Sequence, residues 1–230
     1  MATTLFMLNP TDASISGYDS HTMGTSRGAG LNAYSGDTSA SGNHIELITV
    51  GSATPKCWIY QVNAVTISGT ISFNWWGNEL TMADNVGFAC RIARYDSSGT
   101  FVSDIVANAN ANHADGVELS LSAALRTWSA TPTSTSLSSG DYIVAIPHGD
   151  AVGTMGAGQY TFDVGAASAG VDGDSFITFT ESVTEFTQED RPPRFTPYPQ
   201  LLAHAEAYRP RRKFTFLDGL WRPDRRLVPA

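Results

Sequence analysis

The stretch Val65-Thr-Ile-Ser-Gly-Thr-Ile-Ser-Phe-Asn-Trp75 alternates without a slip. Val65, Ile67, Ile71, Phe73 and Trp75 are apolar, while Thr66, Ser68, Thr70, Ser72 and Asn74 are polar. Period two is the spacing of a strand with one buried and one wet face. Gly69 interrupts the apolar face and predicts a bulge or bend. Trp76 falls on the face opposite Trp75. One indole therefore belongs to the core, and the other to the surface or to a covering chain.

Shorter runs of strand type flank this one. Ile45–Val50 and Lys56–Val62 precede it. Val86–Tyr95 and Phe101–Ala107 follow, joined by Asp96-Ser-Ser-Gly-Thr100, which suits a hairpin turn. Val117, Leu119 and Leu121 alternate with Glu118 and Ser120, as Tyr160, Phe162 and Val164 do with Thr161 and Asp163. Tyr142–Ile146 is apolar throughout, which predicts a central strand covered on both faces. Phe176–Thr180 closes the series. Ser122–Trp128 is ambiguous and has room for one helical turn. Eight or nine short strands separated by Gly, Ser, Asn and Asp clusters predict an all-β domain over residues 1–180, a two-sheet, jelly-roll-like sandwich.

Composition agrees. Of 230 residues, 42% are hydrophobic and only 16% charged, against roughly 25% charged in an average soluble domain. Ser and Thr number 47, and there are 21 Gly. That mixture does not suit a helical bundle. Five Trp, eight Tyr and eleven Phe supply a sizeable core and argue against disorder. No apolar run is long enough to span a bilayer. The start, Met1–Pro10, reads as no secretory leader.

Charge divides the chain. Residues 1–190 hold 5 Lys and Arg against 19 Asp and Glu, a net of −14. Residues 191–230 hold 9 against 3, a net of +6, with seven of the eleven prolines. The shift marks a boundary near residues 180–190 and a C-terminal arm over 181–230. Arg191-Pro-Pro-Arg-Phe-Thr-Pro-Tyr-Pro199 is held extended by its prolines. Farther on, Phe214, Phe216, Leu217, Leu220 and Trp221 stand among arginines. A segment too short for its own core that carries such side chains buries them on something else. The docking residues expected are Arg191, Arg194, Arg209, Arg211, Arg212, Lys213, Phe214, Phe216, Trp221, Arg225 and Arg226.

Chemistry-bearing motifs are sparse. Gly24-Thr-Ser-Arg-Gly28 matches the G-x-S-x-G elbow in letters, but its polar, Gly-rich flanks lack the strand and helix an elbow requires. Gly153–Gly158 lacks the spacing of a nucleotide loop. His21, His44, His113, His148 and His204 are scattered and read as surface or loop residues. The loops Asn108–Gly116 and Asp172–Asp174 are rich in oxygen donors but lack EF-hand spacing. Cys57 and Cys90 read as buried free thiols. No catalytic residue, metal site or cofactor is expected. Trp76, Tyr95, Trp128 and the loop Asn108–Asp115 are the candidate glycan contacts.

Several segments resemble the jelly-roll minor tail proteins of tailed bacteriophages, above all those infecting actinobacteria. They are Phe6–Ser14, Gly24–Gly30, Val65–Trp76, Trp128–Ser134, Leu137–Val144 and Gly173–Phe179. The resemblance covers roughly residues 3–180 and leaves the arm outside. It implies a non-enzymatic virion component, folded in the host cytoplasm and present in several copies. A minor tail protein anchored by its arm is the expectation. A head decoration protein and a carbohydrate-binding, host-recognising module are the alternatives. The expected partners are other virion proteins and further copies of the chain, a trimer among the options, with a cell-surface glycan as a candidate ligand. Neither a membrane nor a nucleic acid is expected, since the acidic body would repel the latter.

Overall fold

In the computed structural model, alternation survives along Val65–Trp75 but the strand does not run through. The structure describes residues 1–37, 45–47, 54–107, 118–152, 159–187, 214–217 and 220–223. β6 (Val65–Ile67) ends before Gly69, and β7 (Ile71–Gly77) begins after it. The amides of Ser68 and Gly69 both donate to Glu181 Oε1, at 2.8 and 2.6 Å. A Cβ on Gly69 would lie 1.9 Å from Thr180 Oγ1. The expected bend is thus a change of sheet. β6 pairs with β11 (Thr135–Leu137), and β7 joins the main sheet.

The other strands of the body are β1 (Thr3–Thr11), β2 (Asp19–Gly24), β3 (Asn32–Asp37), β4 (Ile45–Glu46), β5 (Lys56–Gln61), β8 (Val86–Tyr95), β9 (Phe101–Val106), β10 (Ala124–Ala130), β12 (Tyr142–Ala151), β13 (Gln159–Val164) and β14 (Phe176–Phe179). No helix occurs among the described residues. The ladder runs β3-β13-β7-β14-β1-β2-β5-β12-β8-β9, with β10 on β7 and β4 on β12. It folds over on itself as an all-β sandwich. The register slips between Met7 and Thr11, where β1 meets β2. Rings from the two halves then meet inside: Trp58 with Phe162 at 5.2 Å, Trp75 with Phe88 at 5.9 Å, Phe88 with Tyr160 at 6.0 Å.

β12 is covered on both faces, as its apolar run predicts. Ile143 and Ala145 face the main core. Val144 and Ile146 join Ile15, Cys57, Ile59, Ala93 and Tyr95 in a second cluster on the other side. Cys57 and Cys90 are free and buried. Burial pushes the Cys57 thiol up to about 12.

Three expectations need correction. The ambiguous Ser122–Trp128 holds β10, because seven residues from Ala124 to Ala130 pair with β7. The described part of the Val117–Leu121 alternation is not a strand: Leu119 is buried, but Leu121 is exposed. β1, β2 and β3 are strands beyond the runs that the sequence marks. In β1 both Leu5 and Phe6 are buried, one inside the sandwich and the other under the Arg27 guanidinium, 4.7 Å from its ring. Alternation is lost where both faces are covered.

The body runs past residue 180 and ends inside the boundary region that the composition shift marks. Val183 is buried, Glu185 bridges Val62, and Phe186 N donates to Gln61 O at 3.0 Å. Two units divide at Phe186 and Thr187. In the second, β15 (Phe214–Leu217) and β16 (Leu220–Pro223) pair as an antiparallel hairpin, Phe216 opposite Trp221.

Gly77 marks a close approach. A Cβ there would come within 2.0 Å of the Thr161 carbonyl oxygen and 2.5 Å of the Phe88 ring. Backbone cannot yield as a side-chain tip can. Gly77→Ala is expected to lower unfolding free energy by about 1–3 kcal/mol. Denaturant titration checks this, and an unchanged midpoint would contradict the contact.

Candidate functional site

β2 and β5 are paired in parallel, with Asp19 opposite Lys56 and His21 opposite Trp58. Period two puts Asp19 and His21 on one face of β2, and Lys56 and Trp58 on the matching face of β5. Four chemically distinct groups are gathered there with Tyr34 of β3. The Lys56 ammonium donates to Asp19 Oδ2. His21 Nε2 lies 3.4 Å from Lys56 Nζ and 3.9 Å from Asp19 Oδ2. His21 Nδ1 lies 2.9 Å from the Asn9 carbonyl oxygen. The Tyr34 hydroxyl is 3.4 Å from Nδ1, and the Lys56 ammonium sits 4.7 Å from the centre of the Tyr34 ring.

The tautomer follows from the partners. A carbonyl only accepts, so Nδ1 carries the proton. An ammonium only donates, so Nε2 is the bare nitrogen that faces it. His21 is therefore neutral, and burial, with Lys56 adding to it, holds its pKa below the ordinary imidazole value. His21 is 3% exposed and Lys56 6%. A buried cation needs a partner, and Asp19 supplies one. The hydrogen bond from Lys56 holds the Asp19 carboxyl below the usual range. The imidazole stacks on Trp58 at 5.2 Å and 22°, and Trp58 Nε1 is anchored to Leu8 O at 2.9 Å. The cluster reaches solvent through Asp19, whose side chain is 43% exposed. It joins a cation, a neutral imidazole and a phenol, the groups from which proton transfer and oxyanion binding are built.

A second set lies on the outer face of β7 and β13. Trp76 is half-buried opposite Asp163. Ser175 Oγ accepts from Trp76 N at 2.9 Å and donates to Asp163 O at 2.5 Å. Asp163 is buried, with Oδ1 lacking a hydrogen-bond partner. Burial first, and the Asp172 charge second, push its carboxyl up to about 6. Along β7 and β10 a shallow groove is lined by Ser72, Phe73, Asn74, Thr127, Trp128 and Ser129.

The structure separates the candidate glycan contacts. Trp76 is on the outer face. Trp128 is a core residue, stacked on Phe73 at 4.9 Å and 14°, and Tyr95 is buried against Phe101. Both rings are more than nine-tenths buried, because pairing with β7 and β12 turns them inward, and Trp128 reaches the surface only at the floor of the groove. The loop Asn108–Asp115 lies outside the described residues. So do Arg191, Arg194, Arg209, Arg211, Arg212, Lys213, Arg225 and Arg226, and His44, His113 and His204. Phe214, Phe216 and Trp221 belong to the β15–β16 hairpin. Asp174 is occupied by Arg27 at 3.0 Å and by Gly170 N at 3.2 Å. After Gly24 the chain bends and passes into β3, so Gly24–Gly28 forms no strand–turn–helix elbow.

His21 and His148 are corrections too, since both are buried rather than at the surface. The one signal for the cluster was Lys56, a lone cation heading the apolar Cys57-Trp-Ile-Tyr60. The parallel pairing that gives it Asp19 and His21 joins segments far apart in sequence.

No family model matches the chain, and no curated protein does. Among solved structures, it is similar to a CocE/NonD family hydrolase from Staphylococcus aureus in two determinations. One has TM-score 0.53 and 11% identity over 80% of this chain and 37% of the other. The second has 0.52 and 12% over 78% and 36%. An aminopeptidase from a Thaumarchaeota archaeon follows at 0.49 and 8%, over 80% of this chain and 37% of the other. The chain spans little more than a third of each.

At such identities the likeness shows the fold. It corrects the expectation of a non-enzymatic virion component, with its alternatives of head decoration and glycan binding. The solved chain that shares the sandwich in these two determinations is a hydrolase, so a Ser/Thr-rich, weakly charged make-up does not by itself exclude an enzyme. One architecture serves unrelated functions, and composition reports the architecture alone.

Proposed function

We propose that this chain takes part in hydrolysis, as the β-sandwich unit of a hydrolase of the CocE/NonD kind. The fold likeness to that hydrolase over four-fifths of the chain supports the reading. The Asp19–Lys56–His21–Tyr34 cluster is where the unit meets the reacting group. Hydrolysis of an acyl bond builds negative charge on an oxygen. Lys56 Nζ and the Tyr34 hydroxyl are the donors that can face it once Asp19 swings aside; the bare His21 Nε2 takes a proton from the water that adds to the acyl carbon and returns it to the leaving group as the acyl bond breaks.

The test is the full chain on p-nitrophenyl acetate and on an aminoacyl p-nitroanilide. Turnover above the buffer blank is expected. Lys56→Met should lower it by roughly 100-fold, the usual effect of removing one oxyanion donor, while circular dichroism stays that of the folded protein. A rate equal to the blank on both substrates overturns the proposal, as does a Lys56→Met variant as fast as wild type.

A further inference from the structure

β10 stands at a rim of the sheet. Seven consecutive residues pair with β7, from Ala124 opposite Gly77 to Ala130 opposite Ile71, with no slip in register. On its other side β7 is flanked by β13 and β14. Among the described residues, β7 is the one strand that β10 pairs with. About half of the backbone N–H and C=O groups of β10 therefore point away from β7, toward the rim, where they form a template for another strand.

Sheets guard such rims with bulges, charges, prolines or very short strands. The other rims of this sheet carry guards of this kind. β9 slips twice in its register with β8 and bears Asp104, paired with Arg91 at 2.6 Å. β4 has two residues. β3 ends in Gly36 and the charged Asp37. β10, Ala124-Leu-Arg-Thr-Trp-Ser-Ala130, has neither proline nor glycine nor bulge. Its one charge, Arg126, turns to the inner side that it shares with Trp128, where it donates to Glu118 O at 2.6 Å. On the outer side Leu125, Thr127 and Ser129 are exposed and neutral.

The strand is complementary to a copy of itself. Centred on Thr127 in antiparallel pairing, all seven residues find partners: Ala124 with Ala130, Leu125 with Ser129, Arg126 with Trp128, and Thr127 with its own counterpart. Outer residues then meet outer residues, as the pleat requires. Shifting the centre to Arg126 shortens the pairing and sets two guanidinium groups opposite each other, where like charges repel. Shifting it to Trp128 shortens the pairing as well. In the Thr127-centred register the second copy's Leu125 stands opposite Ser129, beside the groove that Trp128 floors. A leucine that is 38% exposed thereby covers the place where a core indole meets solvent.

We propose that β10 pairs with β10 of a second copy about a twofold axis at Thr127, so that the two sheets run on as one. Such a contact is isologous and closes as a dimer. It consists of backbone hydrogen bonds and neutral side chains, while each copy carries a net of −14 over residues 1–190. Salt should therefore tighten the dimer by screening the repulsion between bodies. The inference is independent of any hydrolytic activity.

Cysteine variants of the full chain test the register, with native Cys57 and Cys90 buried. Residues directly opposite are about 4.5–5.5 Å apart at Cα, within reach of a disulfide. Thr127→Cys should link to its own copy under mild oxidation. Ser129→Cys alone should not, since its counterpart lies about 13 Å along the strand, but mixed with Leu125→Cys it should. Light scattering of wild type should show a dimer. Thr127→Lys and Thr127→Glu should each weaken it by about tenfold at low salt, and an equimolar mixture of the two should restore it. Thr127 is exposed, so circular dichroism should show both variants folded. A monomeric wild-type chain overturns the proposal. So does a Ser129→Cys chain that links to itself as readily as Thr127→Cys. A dimer indifferent to both charges at Thr127 overturns it too, because the interface would then lie elsewhere.

Discussion

Trp75→Ala should cost the sandwich about 3–5 kcal/mol, the upper range for a buried aromatic. That would consume much of the roughly 5–15 kcal/mol that holds a typical domain folded. Trp75 is fully buried, and four rings meet its indole. Phe73 lies at 6.0 Å and 89°, Phe88 at 5.9 Å and 72°, Trp128 at 5.0 Å and 80°, Phe162 at 5.0 Å and 74°. Phe88 comes from the half of the sheet opposite β7, so the indole also joins the two layers. No neighbour can close over the space that alanine would leave without abandoning another ring. Trp75 Nε1 lacks a hydrogen-bond partner, so Trp75→Phe, which keeps an aromatic ring and removes the stranded donor, should cost clearly less. Trp76→Ala, one residue on and half-buried on the outer face, should cost about 1 kcal/mol. Urea titrations of the three variants rank them. A Trp76→Ala loss equal to that of Trp75→Ala would reverse the assignment of core and outer faces.

The same two tryptophans show what a sequence can disclose. Alternation along Val65–Trp75 predicts which indole is buried, because period two is a local property of extended chain. The all-apolar Tyr142–Ile146 likewise discloses a strand covered on both faces. Gly69 marks the bend. Non-local pairing is where legibility stops. β1 reads poorly because Phe6 is covered by Arg27, an arrangement that depends on the loop after β2. The candidate site is hidden for a like reason. His21 resembles any loop histidine until β2 is set parallel to β5, which gives its Nε2 the Lys56 ammonium as neighbour. Trp128 shows the converse error. Its ring suggests a ligand platform, yet pairing of β10 with β7 stacks it on Phe73 inside. Function was less legible than fold, because low charge and abundant Ser and Thr describe a sandwich rather than its task.

Asp163 offers the sharpest dependence on pH. Its folded carboxyl is raised from 3.8 to about 6, by burial first and by Asp172 second. The folded state therefore holds this proton more tightly than the unfolded chain does. Below about pH 4 both states are protonated, and the group is neutral in its effect. As pH rises from about 4 to about 6 the unfolded state ionises freely while the folded state resists, so stability falls. Above about 6 the loss is complete and constant. At 1.36 kcal/mol per unit, the shift amounts to roughly 3 kcal/mol. Asp163→Asn keeps the shape, removes the charge and gives the site a donor where Oδ1 is unpartnered. The variant should match wild type near pH 4 and exceed it by about 3 kcal/mol at pH 7. Taking the difference between variant and wild type at each pH removes the contributions of His21 and of the other carboxylates, which both chains share. Asp172→Asn should move the curve in the same direction by less, since burial outranks the Asp172 charge. Urea midpoints for the three chains between pH 4 and 8 decide the matter. Parallel curves for wild type and Asp163→Asn would mean that water reaches the carboxylate beside Trp76 and that its burial is not felt.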